Sequence, residues 1–219
     1  MNHDDFWFPD HLQTAITHLT ATQTDLSVGM GVVIGVSGAC VDVSGAYVPV
    51  GFLPDDRYVP NYFIPASGWV FRRTVLVTVP GWRSYRNLWL YPSHDFLDQL
   101  FRAGFLITPT NRLTWVAIPS GNRANSYRHR LADEHAHYFA QLTANPNWRT
   151  ELLTAMLRDA RNTAQGGWPV AWPGLKNVIK APLIRRGIIT IKTRFMLTYL
   201  RKGNALQSLR QVRGLPKLP

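Results

Sequence analysis

The stretch "SVGMGVVIGV" (27–36) constrains the fold most. It is rich in β-formers and punctuated by glycine, which reads as a buried strand. The segment before it has a different period. Pro9 suits a first helical position. Leu12, Ala15, Ile16 and Leu19 recur at helical spacing, so 9–22 reads as an amphipathic helix with these four on its apolar face. The same switch recurs downstream. "CVDVSGAYVPV" (40–50) reads as short strands around a Ser-Gly turn, and the proline-rich "FLPDDRYVPNYFIP" (52–65) as a loop. "SGWVFRRTVLVTVPGW" (67–82) fits helix or strand. "PSHDFLDQLFRAG" (92–104) reads as a helix with Ser93 or Asp95 near its N-cap, Phe96, Leu97, Leu100 and Phe101 on its apolar face, and Gly104 as its stop. "FLITPT" and "LTWVAI" read as two further strands. Strand and helix alternate over the first 120 residues, so an α/β fold is expected. Strands near 27–36, 46–52 and 113–118 should share one sheet, with the helices at 9–22 and 95–103 packed against it.

After "PSGNRANSYRHR" the texture changes. Residues 131–163 read as helical with a break at Asn145-Pro146, and "GGWPVAWPGL" (166–175) as a linker or surface segment. Residues 176–213 mix Lys and Arg with apolar residues at mostly helical spacing. The expected organisation is therefore a domain over 1–125 and a basic helical extension over 126–219.

Charge follows that division. The net charge is +11, with basic residues sparse before Arg72 and dense after Lys176. Such an excess fits an anionic partner, whether nucleic acid, an acidic membrane surface or phosphate groups. A merely solubilising surface fits as well. No nucleic-acid-binding signature of the usual kinds is present. Trp168, Trp172, Phe195 and Tyr199 among the basic residues favour a membrane surface. No apolar run reaches the roughly 18 residues that a spanning helix needs. The single cysteine, Cys40, excludes an internal disulfide and a cysteine-based zinc cluster.

Four segments fall in one order: "NHDDFWFPDHL", "SGWVFRR…PGW", "PSHDFLDQLFRAG" and "SGNRANSY". Together they resemble the family 2 glycosyltransferases of the GT-A fold, over roughly residues 1–125. The resemblance implies a partial GT-A-like mixed sheet with flanking helices. It implies transfer of a sugar from a nucleotide-sugar donor to a glycan or lipid-linked acceptor. The matched segments belong to the acceptor-side half, so Met1 is expected where the middle of such an enzyme would stand. A separate chain supplying the nucleotide-binding half is then an implied partner, and the inner face of the membrane the implied location in the cytoplasm. The rival reading is a non-catalytic basic module that binds a membrane surface or a partner protein.

The resemblance also implies roles. Asp4 and Asp5, with Asn2 in the family's first acidic position, would hold Mg²⁺ or Mn²⁺, hard cations that prefer oxygen ligands and neutralise a diphosphate leaving group. Otherwise these acids favour the first turn of the following helix through its dipole. Asp95 would be the base that takes the acceptor hydroxyl's proton. Otherwise it caps its helix. His94 stands where the family commonly has an acidic residue. With Trp69 and Trp82 it would line the acceptor pocket, unless the two tryptophans are simply core. Arg123 and Arg128 would close over the donor diphosphate, their forks matching phosphate oxygens, or would lie in a solvated loop.

Overall fold

A computed structural model describes residues 5–35, 47–60, 64–79, 81–84, 88, 92–119, 123–129, 133–165 and 210–216, for Pro54 and 160–165 the backbone alone. Its elements are β1 (Asp5–Trp7), α1 (His11–Thr22), β2 (Leu26–Ile34), β3 (Tyr47–Val50), β4 (Trp69–Phe71), α2 (Val75–Thr78), α3 (Pro92–Arg102), β5 (Ile107–Ala117), α4 (Asp133–Ala144) and α5 (Trp148–Gln165).

The described strands form one mixed sheet in the order β1-β5-β2-β3, with β4 also paired to β2. The α/β expectation holds. The glycine-punctuated stretch is the central strand, β2. It runs parallel to β5 and antiparallel to β3 and β4. The edge strand β3 carries Pro49, which cannot donate to a ladder and suits an edge.

The even-numbered residues of β2 change packing partners along the strand, where the ladder with β5 shifts register between Val28 and Gly31. Leu26 and Val28 pack with Phe96, Leu97 and Leu100 of α3. Met30, Val32 and Ile34 pack with Trp148, Leu152 and Met156 of α5. The intervening glycines serve bulky neighbours. A Cβ on Gly29 would lie 2.3 Å from the Thr114 hydroxyl, and one on Gly31 would lie 2.2 Å from the Trp115 ring. Trp115 is fully buried and donates its indole N–H to the Gly29 carbonyl at 2.8 Å. The stretch after residue 126 thus supplies part of the sheet's core through α5.

Several local expectations change. "FLITPT" and "LTWVAI" are one strand, not two. Asn111 takes a left-handed conformation (φ 53°) midway along β5, and the register with β2 shifts nearby, so the chain bends without losing its pairing. The buried stripe of α1 is His11, Ala15 and Leu19. Leu12 and Ile16, expected on that face, are about half exposed. The ambiguous 67–82 contains both β4 and α2. Asp5 does not merely precede a helix: it begins β1, paired to β5 through Asp5↔Ala117.

In α3, Phe101 is 41% exposed, while Phe96, Leu97 and Leu100 are fully buried. The helix ends as its Gly104 foretells. The Phe105 N–H bonds the Leu100 carbonyl and the Gly104 N–H bonds that of Phe101, with Gly104 at φ +82°. That pattern is a Schellman stop. Farther on, the helical break at Asn145-Pro146 falls between α4 and α5 as expected. Residues 40–46, with Cys40, and nearly all of the basic 176–213 lie outside the described residues.

Candidate active site

Two side-chain clusters meet at the short helical turn Ala66–Gly68. The first is built on β1. The Ser67 hydroxyl donates to the Asp5 carboxylate, and both residues are buried. The Trp7 indole N–H donates to the Ser67 carbonyl at 2.7 Å. The Trp7 ring stacks on His11, centroids 4.3 Å apart. His11 Nδ1 shares a hydrogen with Thr114 Oγ1 at 2.9 Å, and its Nε2 is buried with no partner among the described residues. Burial pushes the His11 imidazole down to about 4, against an opposing pull from Asp10. His11 is therefore neutral near pH 7.

The second cluster follows directly along the chain. Trp69 stacks near Trp82, with centroids 6.3 Å apart, and near Phe96 at 6.2 Å. Trp82 lies on Phe96 at 4.4 Å with the planes 14° apart. Trp69 is buried, but Trp82 is 49% exposed, so it is a surface shelf rather than core. A Cβ on Gly68, which joins the clusters, would fall 2.4 Å from the Trp115 indole nitrogen. The two clusters therefore sit on one tightly packed turn.

Asp95 adjoins that shelf. It lies in the first turn of α3, three residues past the start at Pro92, and not at the cap. Its side chain is 5% exposed. Arg83 holds both carboxylate oxygens, with Nε donating to Oδ2 at 2.8 Å and the terminal nitrogen to Oδ1. Gln99, one turn along, donates to Oδ2 at 2.8 Å. The hydrogen bond to Asp95 holds the Arg83 guanidinium above its ordinary value, with slight burial opposing. His94 is buried beside Asp95, and burial holds its imidazole below the usual range.

The remaining expected residues sit elsewhere. Arg123 pairs with Glu134 of α4. Arg128 Nε donates to the Gly214 carbonyl at 3.1 Å. Around it, the Asn125 and Tyr127 N–H groups bond the carbonyls of Val212 and Arg213, and Arg213 lies over the Tyr127 ring. The end of the basic stretch is thus docked on 123–129. Asn2 and Asp4 lie outside the described residues. A groove of about 420 Å³ lined by Tyr47, Trp148, Glu151 and Arg158 involves none of these residues.

The oxygen donors of Asp5 and Ser67 suit a hard cation in type. Among the described residues no group of three acidic, histidine or cysteine side chains gathers to hold one.

Sequence reasoning missed Ser67, His11, Gln99 and Arg83. Ser67 and His11 carry no local signal, because their partners are distant in the chain. Gln99 stands one helical turn after Asp95, a spacing at which side chains meet. Arg83 directly follows Trp82, so its nearness to the same cluster was readable. No family model, curated protein or solved structure matches the chain.

Proposed function

We propose that this chain is the acceptor-side portion of a GT-A glycosyltransferase resembling family 2. It would act with a nucleotide-binding half that holds the nucleotide-sugar donor. The observation that carries the reading is a chain of contacts: Ser67 of the turn Ala66–Gly68 holds Asp5, Trp69 directly after that turn stacks with Trp82 and Phe96, and Phe96 follows Asp95 on α3. These residues come from segments that the resemblance singles out separately.

In this reading Asp95 accepts the proton of an acceptor hydroxyl as its oxygen bonds the donor's anomeric carbon and the bond from that carbon to the diphosphate breaks. The Trp82 shelf and Trp69 orient the acceptor, since aromatic faces pack on sugar rings. Asp5, with Asp4 and Asn2, would hold Mg²⁺ or Mn²⁺, which when bound neutralises the diphosphate leaving group. Ser67 fixes the Asp5 carboxylate. Arg123 and Arg128 would reach the diphosphate only by leaving Glu134 and Gly214, so the geometry supports their donor role least.

The described residues contain no helix long and apolar enough to cross a membrane. We place the protein at the inner membrane face, held by its basic segment, where a lipid-linked acceptor would lie. The net charge of +11 equally favours the second reading, a basic module that binds an acidic membrane without catalysis. Transfer from a panel of nucleotide-sugars, with a nucleotide-binding half supplied in trans, separates the two. Loss of transfer in Asp95→Asn with membrane binding kept supports the enzyme. Membrane binding without transfer from any donor supports the module.

A further inference from the structure

The Arg83–Asp95 pair is unequal, and that inequality has a use. Asp95 is enclosed, with its side chain 5% exposed, while that of Arg83 is 56% exposed. The carboxylate cannot leave its place, but the guanidinium can. Two residues before Arg83, Gly81 takes a left-handed conformation (φ +94°) with nothing within 4 Å of a Cβ position. A guanidinium has five N–H donors, and the bonds to Asp95 engage only part of that fork. Trp82 lies on Phe96 and Arg83 on Asp95, neighbouring residues of α3, and both Trp82 and Arg83 are about half exposed. A hydrophobic plane next to a half-exposed fork is the chemistry that takes a sugar bearing an acid group: the ring packs on the indole and the anion meets the guanidinium.

We propose that Trp82 and Arg83 form a subsite for an anionic group, a phosphate or a carboxylate, on the sugar-bearing acceptor. The anion draws Arg83 outward and frees the Asp95 oxygens that it occupies. Arg83 is thus a specificity residue and a latch. In the absence of the anion both Asp95 carboxylate oxygens are engaged by Arg83. With the anion bound they are released beside the acceptor's hydroxyl. This inference rests on reading Asp95 as the base, but the anion subsite can be tested without turnover.

The test is an NMR titration of the full chain, following the Arg83 Nε–H and Trp82 indole N–H signals, assigned with Arg83→Lys and Trp82→Phe. The probes are glucose 1-phosphate, glucuronate and glucose. Saturable shifts of both signals with either charged probe, and none with glucose at equal concentration, are expected. Tighter binding of one charged probe identifies the acid group, phosphate or carboxylate. Arg83→Gln should weaken binding at least tenfold. Arg83→Lys, which keeps charge but not the fork, should fall between. Asp95→Asn should bind the charged probe at least as tightly as wild type, because its fork is already freed. Equal shifts with glucose, unchanged affinity in Arg83→Lys, or no saturable shift with any probe would overturn the subsite. Failure of the base reading shows instead as retained transfer in Asp95→Asn, so the two failures are distinguishable.

Discussion

Ser67 donates its hydroxyl to the carboxylate of Asp5, and so ties the first strand to the turn that carries Trp69. The pair is buried, and a buried donor removed from a charged acceptor leaves that acceptor undersolvated. Ser67→Ala should therefore lower stability by about 1–3 kcal/mol in urea unfolding, with an unchanged slope. Replacement of a solvated surface serine would cost far less. A neutral Ser67→Ala would show that this pair does not organise the turn.

Gly31→Ala should destabilise more than Gly81→Ala. The added carbon at 31 meets a Trp115 ring that is fully buried and cannot retreat, whereas at 81 it meets open space and incurs only the left-handed backbone cost. Overpacking costs about 1–3 kcal/mol and sometimes more. The left-handed cost is about 1–2 kcal/mol. Thermal melts of the two variants provide the comparison. Equal melting temperatures would contradict the packing described for the central strand.

Much of this architecture was readable in advance. The glycine-punctuated central strand, the helices at 9–22 and 92–104 and the break at Asn145-Pro146 announce themselves by period and by stop signals. What was not readable has physical causes. The spacing in α1 put Leu12 and Ile16 on the buried face, yet the stripe that meets the sheet is His11, Ala15 and Leu19, where Gly29 leaves room for His11. Proline and asparagine in β5 look like a break, yet a single left-handed Asn111 absorbs the bend. At the candidate site, the resemblance singled out Asp95, Trp69 and Trp82, and the structure brings the two tryptophans against Phe96, which follows Asp95. The Asp5–Ser67 and Asp95–Arg83 partnerships were not legible, since pairings across the fold leave no local pattern.

His11 should make the fold acid-sensitive. Burial lowers its imidazole from the ordinary 6.5 to about 4. The unfolded chain therefore binds a proton between those values and the folded chain does not, so stability falls as pH drops from 6.5 towards 4 and this contribution levels below. The full effect is on the order of 3 kcal/mol, at 1.36 kcal/mol per unit. His18 and His94 are lowered by burial in the same direction and add to the slope. Urea unfolding across pH 4–7 should lose part of its slope in His11→Gln. An unchanged slope in that variant would contradict a buried, neutral His11.

The basic stretch predicts salt-dependent membrane association. Full-length protein should co-sediment with vesicles containing acidic lipid, less so at high salt because screening weakens surface attraction. Neutral vesicles should retain little of it. Equal retention on both would assign binding to apolar insertion alone.

The most direct test of the account is turnover by Asp95→Asn, beside wild type, with the nucleotide-binding half supplied in trans and a panel of uridine- and guanosine-diphosphate sugars. Asn keeps the size of Asp95 and leaves an oxygen for Gln99, but it cannot accept the hydroxyl's proton. Wild type should transfer sugar, and the variant should fall by about 10²–10⁴ with a melting temperature within a few degrees of wild type. A folded Asp95→Asn protein with wild-type turnover would contradict the catalytic assignment and direct attention to Asp98, one residue before Gln99 on the same helix.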